Sequence, residues 1–272
     1  MLNRARVLIV PGVLVMMLFF CGCHSPEQPD KQKEVSQAAS LKSAAESVLP
    51  DYLRASLRAA GGESAWKEAE LIELELVVSF FQADGPKYLT SQQCEISPWR
   101  NRIAISAEEP AGQMSWSLED GVFSGSAERP ELYTVSARLL TERVLHITTG
   151  ALRLVERKGR IVRSDSAVRI QGRSYYPISY GSVMPEADKA RGWSDVVYYQ
   201  GLDTNLIEMI WFANDVTGES YAVRGYDFKK ADLAGPMVPQ RIEIFSASAE
   251  GDLAERLVSI NISDTNLESV NK

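Results

Sequence analysis

Residues 71–80 read Leu-Ile-Glu-Leu-Glu-Leu-Val-Val-Ser-Phe, and this stretch decides the class of fold. Apolar side chains stand at every second position in it: Ile72, Leu74, Leu76, Val78 and Phe80. Successive side chains of a β-strand point to opposite faces of a sheet, so a period of two indicates a strand with one face in a core. The stretch therefore predicts a sheet that is apolar on one side and faces solvent on the other.

The period of two returns along most of the chain. Asp84-Gly85 is typical of a hairpin turn, and the alternation resumes from residue 87. Further strands are predicted at 87–96, 102–107, 113–118, 122–126, 166–180, 194–200, 206–213, 221–228, 241–247 and 254–262. A sheet of about ten strands usually curls or closes on itself.

Two segments are helical in pattern instead. Residues 41–60 precede Gly61-Gly62, and Pro50 stands at the start of a second piece within them. Between residues 133 and 156, apolar side chains recur at spacings of three and four, and Gly150 divides the pattern. We predict an α+β fold that is mainly antiparallel β: an unclosed half β-barrel of about ten strands, with the helices covering its concave side.

The N-terminus has the pattern of an export signal. Arg4 and Arg6 precede an apolar run over residues 7–20, which is shorter than the roughly 20 apolar residues of a membrane-spanning helix. We therefore predict that residues 1–22 are a signal peptide. An ordinary secreted protein and an uncleaved anchor are the alternatives.

The end of the apolar run, Phe20-Cys21-Gly22-Cys23, resembles a bacterial lipobox, the signal for acylation of a cysteine. Cys23 fits better than Cys21, because the small Gly22 precedes it and the bulky Phe20 precedes Cys21. Each acyl methylene contributes on the order of 0.8 kcal/mol when buried, so several chains on Cys23 would hold the protein to a membrane. His24 follows in place of the Asp that resembles an inner-membrane retention signal, which favours the outer membrane facing the periplasm.

Beyond the anchor, the sequence predicts a tether and one domain. Residues 23–40 are rich in Pro, Gln, Lys, Glu and Ser, which is typical of a flexible segment. Residues 41–272 form one predicted domain, since no Pro- or Ser-rich linker divides them. The formal net charge is −7, and so acidic a balance argues against a nucleic-acid partner and against attraction to anionic lipid headgroups.

Residues that carry catalytic chemistry are few. Cys94 lies in a predicted strand without a nearby basic residue, which favours a small buried apolar residue over a reactive thiol. His146 lies among apolar residues of the second helical segment, where a structural histidine is favoured over a general base. A nucleophile elbow needs Gly two residues before Ser124, where this chain has Val122. No metal, phosphate-loop or cofactor motif occurs, so the sequence predicts neither an enzyme nor a cofactor.

The order of elements carries a resemblance to a known family. A helix ending at Gly61-Gly62 is followed by Trp66 and a long strand. Looser motifs follow in the C-terminal part: Asp203-Thr204, Leu206-Ile207-Glu208-Met209-Ile210, Tyr226-Asp227-Phe228, Gly235 to Pro239, Arg241-Ile242-Glu243-Ile244 and Val258-Ser259-Ile260-Asn261-Ile262. This arrangement resembles the outer-membrane lipoprotein-sorting carriers of the LolA/LolB type. The resemblance implies an unclosed barrel whose helices form a lid over an apolar cavity, as in members that hold the acyl chains of lipoproteins.

Six apolar residues are the candidate ligand-binding residues: Leu74, Leu76, Val78, Phe80, Trp116 and Trp211. Ordinary core packing is the alternative for each, because inward-facing side chains are apolar in either case. The leading hypothesis is a membrane-anchored envelope lipoprotein that binds an acyl chain, a lipid or a lipoprotein in a half-barrel cavity. The alternatives are a non-enzymatic structural or interaction module with a filled barrel, and a hydrolase with an unrecognised site.

Overall fold

The computed structural model describes residues 49–108, 112–156, 161–180, 193–214 and 217–269. The predicted signal peptide, Cys23, the tether and the helical pattern over residues 41–48 lie outside these residues. No helix in the described part is long and apolar enough to span a membrane.

Four α-helices occur in the described residues: α1 Asp51–Ala59, α2 Gly62–Glu68, α3 Ala137–Thr148 and α4 Gly150–Glu156. Pro50 occupies the N-cap position of α1 with φ −51° and ψ 145°, and it makes no side-chain capping hydrogen bond. Ser136 is the N-cap of α3, and its Oγ accepts a hydrogen bond from the backbone N–H of Leu139 at 3.2 Å. A short 3-10 helix, Pro130–Leu132, precedes α3.

Fifteen strands accompany these helices in the described residues. They are β1 Ala69–Gln82, β2 Gly85–Ser97, β3 Arg102–Ala107, β4 Met114–Glu119, β5 Val122–Ala127, β6 Ile161–Arg163, β7 Val168–Ile170, β8 Arg173–Tyr180, β9 Trp193–Gly201, β10 Ile207–Asn214, β11 Ser220–Tyr226, β12 Lys229–Lys230, β13 Met237–Val238, β14 Arg241–Ala247 and β15 Leu253–Ser269. Thirteen of them form one antiparallel sheet, and β12 pairs with β13 apart from it.

The sheet order is β5-β4-β3-β2-β1-β15-β14-β11-β10-β9-β8-β6, with β7 also paired to β8. The first strand therefore meets the last in the middle of the sheet, with Leu76 opposite Ile262 and Val78 opposite Ile260. We call β2 to β5 the first arm, and β14, β11, β10, β9, β8, β7 and β6 the second arm. The edge strands β5 and β6 do not pair with each other, so the described sheet is unclosed, as predicted.

The central helix α3 lies on the concave side of this sheet. It packs against β3 and β4 of the first arm and against β10, β11 and β14 of the second. A sheet whose two arms touch one helix must wrap around that helix, and this establishes the half-barrel. The prediction that helices cover the concave side is confirmed.

The predicted count of about ten strands is lower than the fifteen in the described residues, because short strands such as β6, β12 and β13 were not predicted. The single strand predicted over residues 166–180 is two strands, β7 and β8, joined by a turn at Gln171-Gly172. Both turn residues have positive φ, 46° and 83°. Three-residue strands such as β6 and β7 are too short to show a period of two in sequence.

Candidate functional site

Five of the six predicted ligand-binding residues lie together on the concave face. Leu74, Leu76, Val78 and Phe80 occupy alternate positions of β1, and Trp116 lies on β4. All five are buried in the same apolar cluster as the core side chains of α3. The structure therefore brings these five residues against the central helix.

Trp211 lies on the opposite, outer face of the sheet. Its neighbours on β10, Ile210 and Phe212, belong to the core around α3, whereas Trp211 belongs to a second cluster. That cluster, here called the outer core, consists of Tyr175, Tyr199, Met209, Trp211 and Ala222. The indole N–H of Trp211 donates to the carbonyl oxygen of Ser248 at 3.2 Å, so the β14–β15 turn covers this side chain. The structure does not bring Trp211 together with the other five.

Four aromatic rings meet at the rim of the first arm. Tyr133 stands edge-on to three others, with centroid separations of 4.8 Å to Trp116, 5.1 Å to Phe80 and 5.8 Å to Tyr88. Phe80 and Trp116 are buried, while Tyr88 and Tyr133 are partly exposed. We call these four residues the rim cluster. It extends from the buried core of the half-barrel to the solvent-exposed surface.

Tyr133 belongs to a segment that crosses the mouth of the half-barrel. This crossing segment, residues 129–136, contacts the first arm through Tyr133 and reaches β15 through the Thr134 hydroxyl, which donates to the carbonyl oxygen of Leu257 at 3.0 Å. Within the described residues, no backbone hydrogen bond joins residues 129–136 to a strand. The Lys87 ammonium donates to the carbonyl oxygen of Glu131 at 2.6 Å, so side chains and not strand pairing hold this segment to the sheet.

An open depression of about 310 Å³ lies beside the crossing segment. Thr134, Val135 and Ser136 line one side of it, and Asn214 and Tyr221 of the second arm line the other. Two tyrosines at the mouth are held neutral: burial, and secondarily Tyr88, raises the pKa of Tyr133 to about 12. Burial followed by its hydrogen bond to Glu219 raises the pKa of Tyr221 to about 12. Both hydroxyls remain donors at physiological pH.

Gln92 is an uncharged polar residue inside the apolar concave face. It lies on β2 directly opposite Leu76 and is only 2 % exposed. Neither its amide oxygen nor its amide nitrogen has a hydrogen-bond partner in the described part of the chain. Burying an amide without partners costs about 1–3 kcal/mol, so such a group in a native fold needs an explanation.

Cys94, His146 and Ser124, which were weighed for catalysis from the sequence, lie on three different elements of the described part. No set of three or more His, Cys, Asp and Glu side chains there is placed to hold a metal ion. Cys94 is buried in β2, and burial, together with the charge of Glu95, raises the pKa of its thiol far above the ordinary value. The ring of His146 stacks on Phe212 at 5.9 Å, and the Ser124 hydroxyl bonds the Ser117 hydroxyl at 2.8 Å on the exposed face.

The sequence did not single out Gln92, Tyr88 or Tyr133. Gln92 interrupts the run of apolar concave positions in β2, and an interruption of this kind was the available signal. Tyr133 lies in an irregular segment, where no periodicity tells which side chain turns inward. Its contacts are visible only in the folded chain.

The chain is similar to solved structures of the LolA superfamily. A LolA superfamily protein from Nitrosomonas europaea is 13% identical, with 81% of this chain and 94% of that chain covered at a TM-score of 0.46. A putative outer membrane lipoprotein-sorting protein domain from Vibrio parahaemolyticus is 10% identical, with 81% and 95% covered at a TM-score of 0.44. A DUF1329 family protein from Desulfovibrio piger is 9% identical, with 81% and 93% covered at a TM-score of 0.45.

No protein-family model matches this sequence, and no curated protein sequence matches it. Since the TM-scores are below 0.5, the half-barrel rests on its own strand pairing and on the position of α3, and not on these similarities.

Proposed function

We propose that this chain is a lipid-anchored envelope protein that takes up a hydrophobic ligand with a polar head in its half-barrel, beneath the crossing segment. The ligand class is an acyl chain, either of a lipid or of a lipoprotein. The observation that carries the proposal is the unpartnered amide of Gln92, which is buried among mainly apolar side chains on the concave face. An ester, carboxyl or hydroxyl group of a ligand would supply the missing hydrogen bond, while the rim cluster would pack against its methylenes.

The position of the crossing segment supports an entry route. Its Tyr133 belongs to the rim cluster, its Thr134, Val135 and Ser136 line the depression, and it has no backbone hydrogen bond to a strand of the described sheet. Movement of residues 129–136 would expose Phe80 and Trp116 without breaking the strand pairing. Ligand uptake would then leave the sheet intact.

The anchor is part of the same proposal. Residues 1–22 would be removed on export, Cys23 would carry the acyl chains, and residues 23–40 would tether the domain over residues 41–272 to the outer membrane on its periplasmic side. Growth with a labelled fatty acid should place label on the chain, and Cys23→Ser should remove it and release the protein from membranes. Label retained by Cys23→Ser would contradict acylation at this residue.

Lipid extraction tests the ligand. The full chain carrying Cys23→Ser is purified from cells, so that any lipid found is bound without a covalent bond, and the extract is analysed by mass spectrometry. We expect a stoichiometric acyl lipid and saturable binding of a fluorescent fatty acid. A lipid-free protein that ignores the fatty acid would contradict ligand binding.

The substitution Gln92→Leu tests whether Gln92 contacts the ligand or only packs in the core. Replacing an unpartnered amide by an apolar side chain of similar size should raise the free energy of unfolding by about 1–2 kcal/mol and weaken fatty-acid binding about tenfold. Gln93→Leu is the matched control, because Gln93 is the adjacent residue on the exposed face. Equal effects of the two substitutions on binding would remove Gln92 from the site.

A filled, non-enzymatic interaction module is the second candidate, and the burial of α3 favours it. Residues 139–148 of this helix are all buried, including Glu142, Arg143 and His146, so the helix fills much of the concavity. In that case the fatty-acid probe would not bind, and the Gln92→Leu protein would still be the more stable one. The binding measurement therefore decides between the two candidates.

A further inference from the structure

Three arginines surround one tyrosine ring on the outer face of the second arm. The guanidinium carbon of Arg241 lies 4.3 Å from the ring centroid of Tyr226, that of Arg224 lies 4.8 Å away and that of Arg173 lies 5.9 Å away. Arg241 is the cross-strand partner of Tyr226, and Arg224 precedes it by two residues, so strand pairing places them on one face. Arg173 comes from the start of β8.

The carboxylates near this cluster are engaged by other groups. Glu208 is paired with Arg173 at 3.3 Å, and Glu243 is paired with Arg256 at 3.1 Å. Burial and a hydrogen bond to Glu243 raise the pKa of Tyr226 to about 12, so its hydroxyl remains protonated. Among the described residues, Arg224 and Arg241 therefore have no carboxylate within ion-pair distance.

Arg224 is a charged side chain inside the protein. It is 3 % exposed, and the one hydrogen bond that its guanidinium makes in the described part goes from Nη1 to the neutral amide oxygen of Gln171 at 3.0 Å. Its Nε and the Nε of Arg241 are both buried without a partner in that part of the chain. Glu243 is the cross-strand partner of Arg224 but forms its ion pair with Arg256, so an anion bound between the two guanidinium groups would supply the hydrogen bonds that they lack.

The surroundings hold this cluster in place. Gln171 reaches Arg224 from the tip of the β7–β8 turn, and Tyr175 on β8 lies under Arg224, 5.8 Å from ring centroid to guanidinium carbon. Tyr175 is fully buried in the outer core with Met209 and Trp211. The site is thus built on a packed platform and is not a chance meeting of flexible surface chains.

We propose that Arg173, Arg224, Arg241 and Tyr226 form a binding site for a phosphate group. The planar guanidinium fork matches the oxygens of phosphate and bonds them in pairs, and the Tyr226 ring backs the two arginines that lack a carboxylate. A chain with a formal net charge of −7 does not attract anions as a whole, so binding depends on this local arrangement. The phosphate is either free or part of a phospholipid headgroup, and the site is separate from the concave face.

Calorimetric titration of the full chain carrying Cys23→Ser tests the site. One arm of the experiment uses inorganic phosphate, and the other uses a short-chain phosphatidylglycerol below its micelle concentration. We expect saturable binding in at least one arm, weakened roughly 10- to 100-fold by Arg241→Gln and less by Arg241→Lys, which keeps the charge and loses the fork. Tighter binding of the phospholipid than of phosphate, weakened by Arg241→Gln, identifies a headgroup, and equal binding identifies the free anion.

The control distinguishes this site from bulk charge. Arg58→Gln removes one positive charge from the exposed surface of α1 and should leave binding unchanged. Circular dichroism verifies that each variant is folded; Arg241 is chosen over the more buried Arg224 for this reason. Three results would overturn the proposal: no saturable binding in either arm, binding that Arg241→Gln leaves intact, or an equal loss in Arg58→Gln.

Discussion

Cys94 shows how burial sets the chemistry of one side chain. It is 1 % exposed on the concave side of β2, and its thiol pKa is raised by burial and, secondarily, by Glu95. The thiol therefore remains protonated in the folded chain at pH values where the unfolded chain ionises it. This agrees with the prediction from sequence of a small buried residue and leaves no accessible nucleophile at this position.

The raised pKa of Cys94 predicts a pH dependence of stability with a definite sign. The contribution of the buried thiol to the free energy of unfolding is fully present below the unfolded thiol pKa of about 8.5. It is lost as the pH rises above that value, by about 2 kcal/mol at pH 10. The stability of wild type relative to Cys94→Ala, measured by urea unfolding, should therefore decrease from pH 7 to pH 10. A difference that stays constant over this range would show that the thiol ionises equally in both states.

Gly125 is required where β5 approaches β4. Its φ is 144°, and a Cβ at this position would lie 2.2 Å from the carbonyl oxygen of Ser115. Gly125→Ala should lower the free energy of unfolding by about 2 kcal/mol or more, because strain and overlap add. Gly172→Ala is the matched control: its φ is also positive, but the space around it is open. Denaturant unfolding should show a smaller loss of unfolding free energy for Gly172→Ala than for Gly125→Ala. Equal losses would mean that backbone strain alone, and not overlap with Ser115, destabilises Gly125→Ala.

The alternation of side chains in each strand explains why five of the predicted site residues lie together and the sixth does not. Alternation in β1 separates an apolar face from a polar one, so Leu74 and Phe80 could be assigned to the interior from sequence. In β10 both faces are apolar and buried, so no period distinguishes Trp211 from Phe212. The outer core formed by folding of the β14–β15 turn over that face is a tertiary feature, which local pattern does not contain.

At the scale of elements, α3 depends on its N-terminal cap. Ser136 joins the crossing segment to the helix, and its Oγ satisfies one of the backbone N–H groups that a helix leaves without partners. Ser136→Ala should cost about 1 kcal/mol of unfolding free energy in thermal or urea unfolding, and Ser136→Asp should retain most of the stability. Ser91→Ala, on the exposed face of β2, is the control and should have little effect. A loss in Ser136→Asp as large as in Ser136→Ala would refute the capping role.

Most strand boundaries were predicted to within two residues, and β3 and β14 coincide with the ranges predicted for them, whereas α3 begins four residues after the predicted start of its segment. The break at Gly150 and the end near Gly61-Gly62 were evident, since helix ends carry local signals. The division of residues 166–180 at Gln171-Gly172 was missed, because the flanking strand β7 has only three residues. The extension of β15 to Ser269 was missed because its last residues alternate poorly and are fixed by pairing with β1.

At the scale of the whole molecule, the topology couples the two ends of the chain. β1 and β15 pair at the centre of the sheet, so the two arms are not joined until the last strand is in place. Contacts between residues far apart in sequence dominate such a sheet and slow its folding. The central helix α3 then joins the arms from the concave side, and this contact with both arms makes the half-barrel one unit rather than two sheets.

This coupling predicts that a cavity in α3 weakens both arms equally. Val144 is fully buried in the core around the helix, and Val144→Ala should lower the free energy of global unfolding by about 2 kcal/mol. Native-state hydrogen exchange should then show the same loss of protection for amides of β4 in the first arm and β10 in the second. Val162→Ala, at a position that is 60 % exposed to solvent, should change neither the free energy of unfolding nor the amide protection. Loss of protection confined to one arm would mean that the two arms unfold independently. The helix α3 would then stabilise that arm alone and not the whole half-barrel.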